Sequence, residues 1–245
     1  MNDRPRNPER VPNLPRRASA AKPPTPHALA ERRRGRLSIL TRLQLGLEAL
    51  YRVETRLDVE AFVIDERQRQ DSGVARAARE QLLVHESGEE LSMALFVDAK
   101  ALENLERHDP ASGLHAANFA DFCIALEGVS HFIYLALCAA VERRVSALEL
   151  ELQAEVDKFA CCVLLDPGAD DLRRRLFRDV RFADDLEPHE RERYRTANDE
   201  ADRYAGALER QFVEPDRLGE MLADLRRFYR LSLGDKLAHI SRAAG

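Results

Sequence analysis

The sequence predicts an α+β fold that is mostly helical, with a small antiparallel β-hairpin or sheet packed on a buried pair of helices and a helical C-terminal region behind them. Three observations predict it. Leucines recur at helical spacing from Leu37 to Leu50, a pattern that gives one apolar stripe on an α-helix. Two apolar runs, Gln81–His85 and Leu91–Val97, flank the short Gly-containing stretch Glu86-Ser-Gly-Glu-Glu90, which is the signature of a hairpin. A long apolar segment around residues 114–141 is followed by a serine-capped second segment, and these make the helix pair.

Taken in order, a first helix spans Leu37 to about Tyr51, and Val59–Ile64, rich in β-branched residues, reads as a strand. The hairpin follows. After Asp98 a helical pattern restarts and stops near His108-Asp109-Pro110, because proline closes a helix. The central helix runs from about Leu114 to Val141. Ser146-Ala-Leu-Glu149 has the S-x-x-E capping-box form, so a second helix starts at Ala147 and runs to about Leu165, before Asp166-Pro167-Gly168. From residue 170 the chain is charged and helical, with breaks near Pro188 and Pro215.

Composition limits the function. Residues 1–36 carry a net charge of +7 and seven of the eleven prolines, while the remainder carries −12. The first segment is expected to be a disordered basic arm, able to touch nucleic acid weakly, and residues 37–245 to form one domain with an acidic body unlike a nucleic-acid binder. Cys123, Cys138, Cys161 and Cys162 lie in apolar helical segments without C-x-x-C spacing, so disulfides and a thiolate zinc site are not expected. The sequence opens on Asn2, Asp3, Arg4 and Pro5 where a secretion signal would need an apolar run, so export is not expected, and Glu127 and His131 interrupt the longest apolar segment. A cytoplasmic protein without a membrane span is expected, and 34 arginines against four lysines fit a GC-rich bacterial genome. Gly-rich phosphate loops and nucleophile elbows are absent from the sequence, which removes most nucleotide-dependent chemistries.

The chemistry is concentrated in the central helix. Its ionisable residues between Ala116 and Ala140 are Asp121, Glu127 and His131. Glu127 and His131 are four residues apart and share a face. A helix that is apolar nearly all round is a buried one, and polar groups buried there need partners. The next helix offers Glu155, in the middle of the stripe Leu148, Leu152, Phe159 and Val163, with Glu149 and Glu151 on its borders. Antiparallel packing would bring Glu127, His131 and Glu155 together. Three readings stay open: a site for Zn²⁺ or another divalent ion, a metal-free acid/base site, and a buried hydrogen-bond network completed by Tyr134 or Ser130.

These segments resemble a known family. Glu127-Gly-Val-Ser-His131-Phe-Ile-Tyr-Leu resembles the H-E-x-x-H-x-x-x-L helix of minimal zincin metallopeptidases, and Glu155-Val-Asp-Lys-Phe159-Ala-Cys-Cys-Val-Leu-Leu165-Asp-Pro167 resembles the third-ligand helix of IrrE/ImmA-type members. The resemblance implies a zincin-like core over residues 37–167, a helical extension over 168–245, and metal ligation by Glu127, His131 and Glu155. Three departures qualify it, the first being a connection from His131 to Glu155 that is several residues longer than usual in the family. Position 127 is Glu where the family has a ligand His, and position 128 is Gly where the family has the glutamate that activates a metal-bound water. Ordinary peptide hydrolysis is therefore not expected.

The expected function is that of a degenerate zincin-like protein with a divalent-metal site, acting mainly by binding a protein or small-molecule partner. One alternative is a metal-dependent hydrolase in which Glu149 or Glu151 supplies the missing base; the other is a non-enzymatic adaptor with a structural Glu/His network. Outside this cluster, Tyr194, Arg195, Asn198, Arg203, Tyr204, Phe228, Tyr229 and Arg230 read as helix packing sooner than as an anion pocket, and the remaining histidines as structural or exposed.

Overall fold

The computed structural model describes residues 37–73, 78–87, 90–169, 171–180, 182 and 185–245. The basic arm of the first 36 residues lies outside them.

Helix α1 (Ile39–Tyr51) starts where the Ser38 hydroxyl accepts from the Thr41 amide at 3.1 Å and ends where Arg52 turns left-handed at φ 53°. Its leucine stripe buries Leu40, Leu47 and Leu50. The run from Val59 to Ile64 is only partly a strand. Asp58 accepts from the Glu60 amide and Gln44 of α1 takes the Val59 amide at 2.9 Å, which winds Val59–Ala61 into a 3₁₀ turn and leaves Val63–Ile64 as β1. Tertiary hydrogen bonding here overrides the β-branched preference.

After α2 (Glu66–Asp71) come β2 (Glu80–Ser87) and β3 (Glu90–Val97). The two pair antiparallel, with Glu80 opposite Val97 and Leu82 opposite Leu95. The tip positions 88 and 89 of the hairpin lie outside the described residues. Strand β1 joins β3 in parallel, so the sheet is mixed, in the order β1-β3-β2. Because directly opposed residues share a face, Glu80, Leu82, Leu95 and Val97 form one surface, and that surface rests on the central helix. On the other surface the Arg69 guanidinium of α2 lies 5.1 Å from the centre of the Phe96 ring.

Helix α3 (Ala99–Arg107) leads to the pair expected from sequence, α4 (Phe119–Ala140) and α5 (Ala147–Leu165). By length and composition α4 could cross a membrane; here 72% of its most apolar window is buried inside the fold. The start of α5 is as the sequence predicts, with the Ser146 hydroxyl accepting from the Glu149 amide at 3.2 Å. The reciprocal half of a capping box is not made, because the Glu149 carboxylate accepts instead from Tyr134 (2.7 Å) and Arg143 (2.8 Å). Ser146→Ala is expected to lower stability by about 1 kcal/mol, read as a reduced urea midpoint with unchanged slope.

Helices α6 (Pro188–Leu208), α7 (Leu218–Tyr229) and α8 (Leu233–Ala244) complete the chain. Helix α6 packs on α5, α8 on α6, and α7 on α1. The C-terminal aromatic residues are core: Tyr204 stacks on Phe228 at 4.4 Å and Tyr229 on Tyr51 at 3.9 Å. All four cysteines are free thiols.

Candidate metal centre

The centre is assembled between α4, α5 and the first residue of β2. Helix α4 presents Glu127 and His131 on one face because four residues make just over one turn. Helix α5 runs antiparallel to it: Glu127 meets Lys158 at one end of the contact, Ser130 meets Asp157, and Tyr134 meets Glu149 at the other. That stagger puts Glu151 beside His131. Ligand atoms of Glu127, His131 and Glu151 all lie within 4.8 Å of one another, in a group that could hold a metal ion.

The imidazole of His131, 7% exposed, is flanked on both edges. Nε2 lies 3.5 Å from Glu151 Oε2, and Nδ1 lies 3.6 Å from Glu80 Oε1. Both distances exceed an N–H···O hydrogen bond of about 2.9 Å. His131 Nε2 and Glu80 Oε1 are accordingly buried with no hydrogen-bond partner among the described residues. The 3.5 Å separation does match the spacing of two ligands on one tetrahedral ion, about 3.3 Å for bonds of about 2.0 Å.

Glu155, the third ligand expected from sequence, is on the same side of α5, but its carboxylate accepts from Lys158 Nζ at 2.7 Å. Lys158 also donates to Glu127 Oε2 at 2.9 Å. Glu151, one turn earlier and offered from sequence as a base, stands at His131 instead. The reason is the stagger of the two helices, which sets Glu151 at the imidazole while Glu155 stays with Lys158, three residues along its own helix. Glu149, the other candidate base, is held by Tyr134 and Arg143 on the far side of the pair. Ser130 and Tyr134, which could have completed a structural network around His131, bond to Asp157 and Glu149.

Charge at the centre is acidic. Arg193 of α6 approaches Glu151 at 3.8 Å. With Glu80, Glu127, Glu151 and Glu155 ionised, Lys158 and Arg193 leave an excess of two negative charges around a neutral imidazole. In the absence of a cation, protons relieve the excess. Burial alone would depress the His131 imidazole, but Glu151 and Glu80 outweigh it and hold its pKa well above the ordinary value. Burial raises the carboxyl pKa of Glu80 and of Glu155. Lys158 remains charged, since Glu127 and Glu155 overcome its desolvation.

Glu80, Lys158 and Arg193 were not singled out from sequence. Glu80 had a signal there: it is a charge at an inward position of the alternation that continues through Leu82 and Val84. Lys158 had one as well, at the border of the α5 stripe and three residues from Glu155.

The fold and centre define an α+β protein whose buried carboxylates and histidine converge at a helix pair. No protein-family model matches the chain, and comparisons with curated proteins and with solved structures return no match.

Proposed function

We propose that the protein binds one divalent transition-metal ion, of the zinc class, through Glu127, His131 and Glu151, and acts through the ligand or partner that this centre engages. The observation that carries the reading is His131 Nε2, a buried ring nitrogen with no hydrogen bond and a carboxylate oxygen at ligand-to-ligand distance. Burying such a nitrogen without a hydrogen bond costs free energy, which a coordinate bond would recover. The donor set of one imidazole and carboxylate oxygens suits zinc, and an ion of charge two balances the centre.

The sequence resemblance supports a degenerate zincin-like core as the form of this proposal through a β-hairpin and a buried helix with two donors at i and i+4, whereas the third-ligand glutamate it implied is Glu155 and the one proposed here is Glu151, one turn earlier. A bound ion would supply Lewis acidity. Position 128 has no side chain to act as a base, Glu149 is committed to Tyr134 and Arg143, and Glu151 is needed as a ligand. Binding therefore has more support than hydrolysis.

Metal content measured on untagged protein tests the proposal. About one zinc per chain is expected in the wild type and none in His131→Ala, with the far-UV circular dichroism of the variant unchanged. Wild-type protein that takes up no Zn²⁺ or Co²⁺ on titration overturns it.

A further inference from the structure

We infer that Glu80 is a positioning residue of the metal centre, which orients the His131 ring and fixes its tautomer so that Nε2 faces the ion. The inference rests on the metal reading above and extends it to a residue on a different element.

Glu80 is the first residue of β2 and shares a face with Leu82. Its side chain crosses α4 at Gly128. A Cβ added there would stand 2.8 Å from Glu80 Cγ, 2.9 Å from Leu95 Cδ1 and 3.1 Å from Glu80 Oε1. No side chain fits at 128 while Glu80 and Leu95 hold their places, so the glycine is the seat through which a strand carboxylate reaches the helix pair. The carboxylate arrives at one edge of His131 only: Oε1 is 3.6 Å from Nδ1, while Nε2, on the opposite edge, faces Glu151. Oε1 is also buried without a hydrogen bond.

A neutral imidazole carries one N–H. Placed on Nδ1, it points at Glu80 and leaves the Nε2 lone pair for the ion; placed on Nε2, it closes the site. A carboxylate behind the non-ligating nitrogen selects the first tautomer, holds the ring orientation and raises the donor strength of the ligating nitrogen. Of the four carboxylates at the centre, Glu127 and Glu155 are drawn to Lys158, and Glu151 lies on the Nε2 side. Glu80 is the one placed at Nδ1.

The test is zinc affinity, measured by competition with a chromophoric chelator for the wild type, Glu80→Ala, Glu80→Gln, Gly128→Ala and His131→Ala, together with the visible spectrum of each Co²⁺-loaded protein. Glu80→Ala is expected to weaken zinc binding 10- to 100-fold and to alter the Co²⁺ bands at saturation. Glu80→Gln keeps an acceptor oxygen toward Nδ1 and is expected to fall between Glu80→Ala and the wild type. Gly128→Ala removes no polar group, yet is expected to lower affinity by displacing Glu80. Thermal unfolding of the metal-free proteins separates positioning from lost packing: the metal-free Glu80→Gln protein is expected to melt as the wild type does and still bind more weakly. Wild-type affinity and an unchanged Co²⁺ spectrum in Glu80→Ala would overturn this inference while leaving the metal centre standing. Zinc binding absent from the wild type would overturn the centre itself, and this inference with it.

Discussion

Asp157→Ala is expected to destabilise the protein by about 3–5 kcal/mol, the range for leaving several buried donors without their acceptor. Asp157 is 1% exposed and accepts from three side chains on three helices. Tyr51 of α1 and Gln153 of α5 donate to Oδ1, the latter at 2.7 Å, and Ser130 of α4 donates to Oδ2 at 2.6 Å. Alanine would leave the Tyr51 and Ser130 hydroxyls without their acceptor in the core and leave Gln153 only its longer bond, 3.3 Å, to the Tyr51 oxygen. A domain of this size has a total stability of about 5–15 kcal/mol, so the variant should unfold at a much lower urea concentration. Asp157→Asn preserves shape and one acceptor oxygen and should lose less. A midpoint for Asp157→Ala within experimental error of the wild type would show that the carboxylate does not tie these helices together.

Lys236→Met is expected to abolish a rise of stability with pH. Lys236 of α8 is fully buried and donates to Gln153, with its ammonium 4.5 Å from the Tyr134 ring centre and 4.8 Å from that of Phe228. Burial pulls its pKa down to about 7, against the favourable carboxylates of Glu149 and Asp157. In the unfolded chain a lysine titrates near 10.4. Between about 7 and about 10 the unfolded state therefore holds a proton that the folded state lacks, and stability increases with pH. Below that window the folded protein carries the whole cost of a buried cation. The gain across it should be about 2–3 kcal/mol, less than the full linkage value because the aromatic faces also favour the charged form. The measurement is the difference between wild type and Lys236→Met in urea at pH 6.5 and pH 9.5, which cancels groups that titrate in both. Equal differences at the two values would place the Lys236 pKa outside this window.

Much of the fold was legible because it rests on local rules. The leucine spacing of α1, the serine at the start of α5 and the apolar circumference of α4 each act over a few residues, and each gives the expected element. The segment from Val59 to Ile64 departs from its local preference because Gln44, fifteen residues earlier, captures the Val59 amide. The parallel pairing of β1 with β3 likewise depends on where α2 returns the chain.

The candidate centre divides along the same line. That Glu127 and His131 share a buried face follows from helix periodicity alone. Which glutamate of α5 meets them does not. Glu151 and Glu155 are themselves four residues apart and lie on one side of their helix, so the choice rests on the stagger of two packed helices. Glu80 could be placed only by the sheet, since a strand residue 51 positions before His131 reaches it through the gap that Gly128 leaves. Sequence by itself determined the helices, the hairpin and the pair of donors at i and i+4, because these depend on neighbours in the chain. Tertiary structure decided the partners, because a buried charge is satisfied by whatever the packing of distant segments brings within a few ångströms.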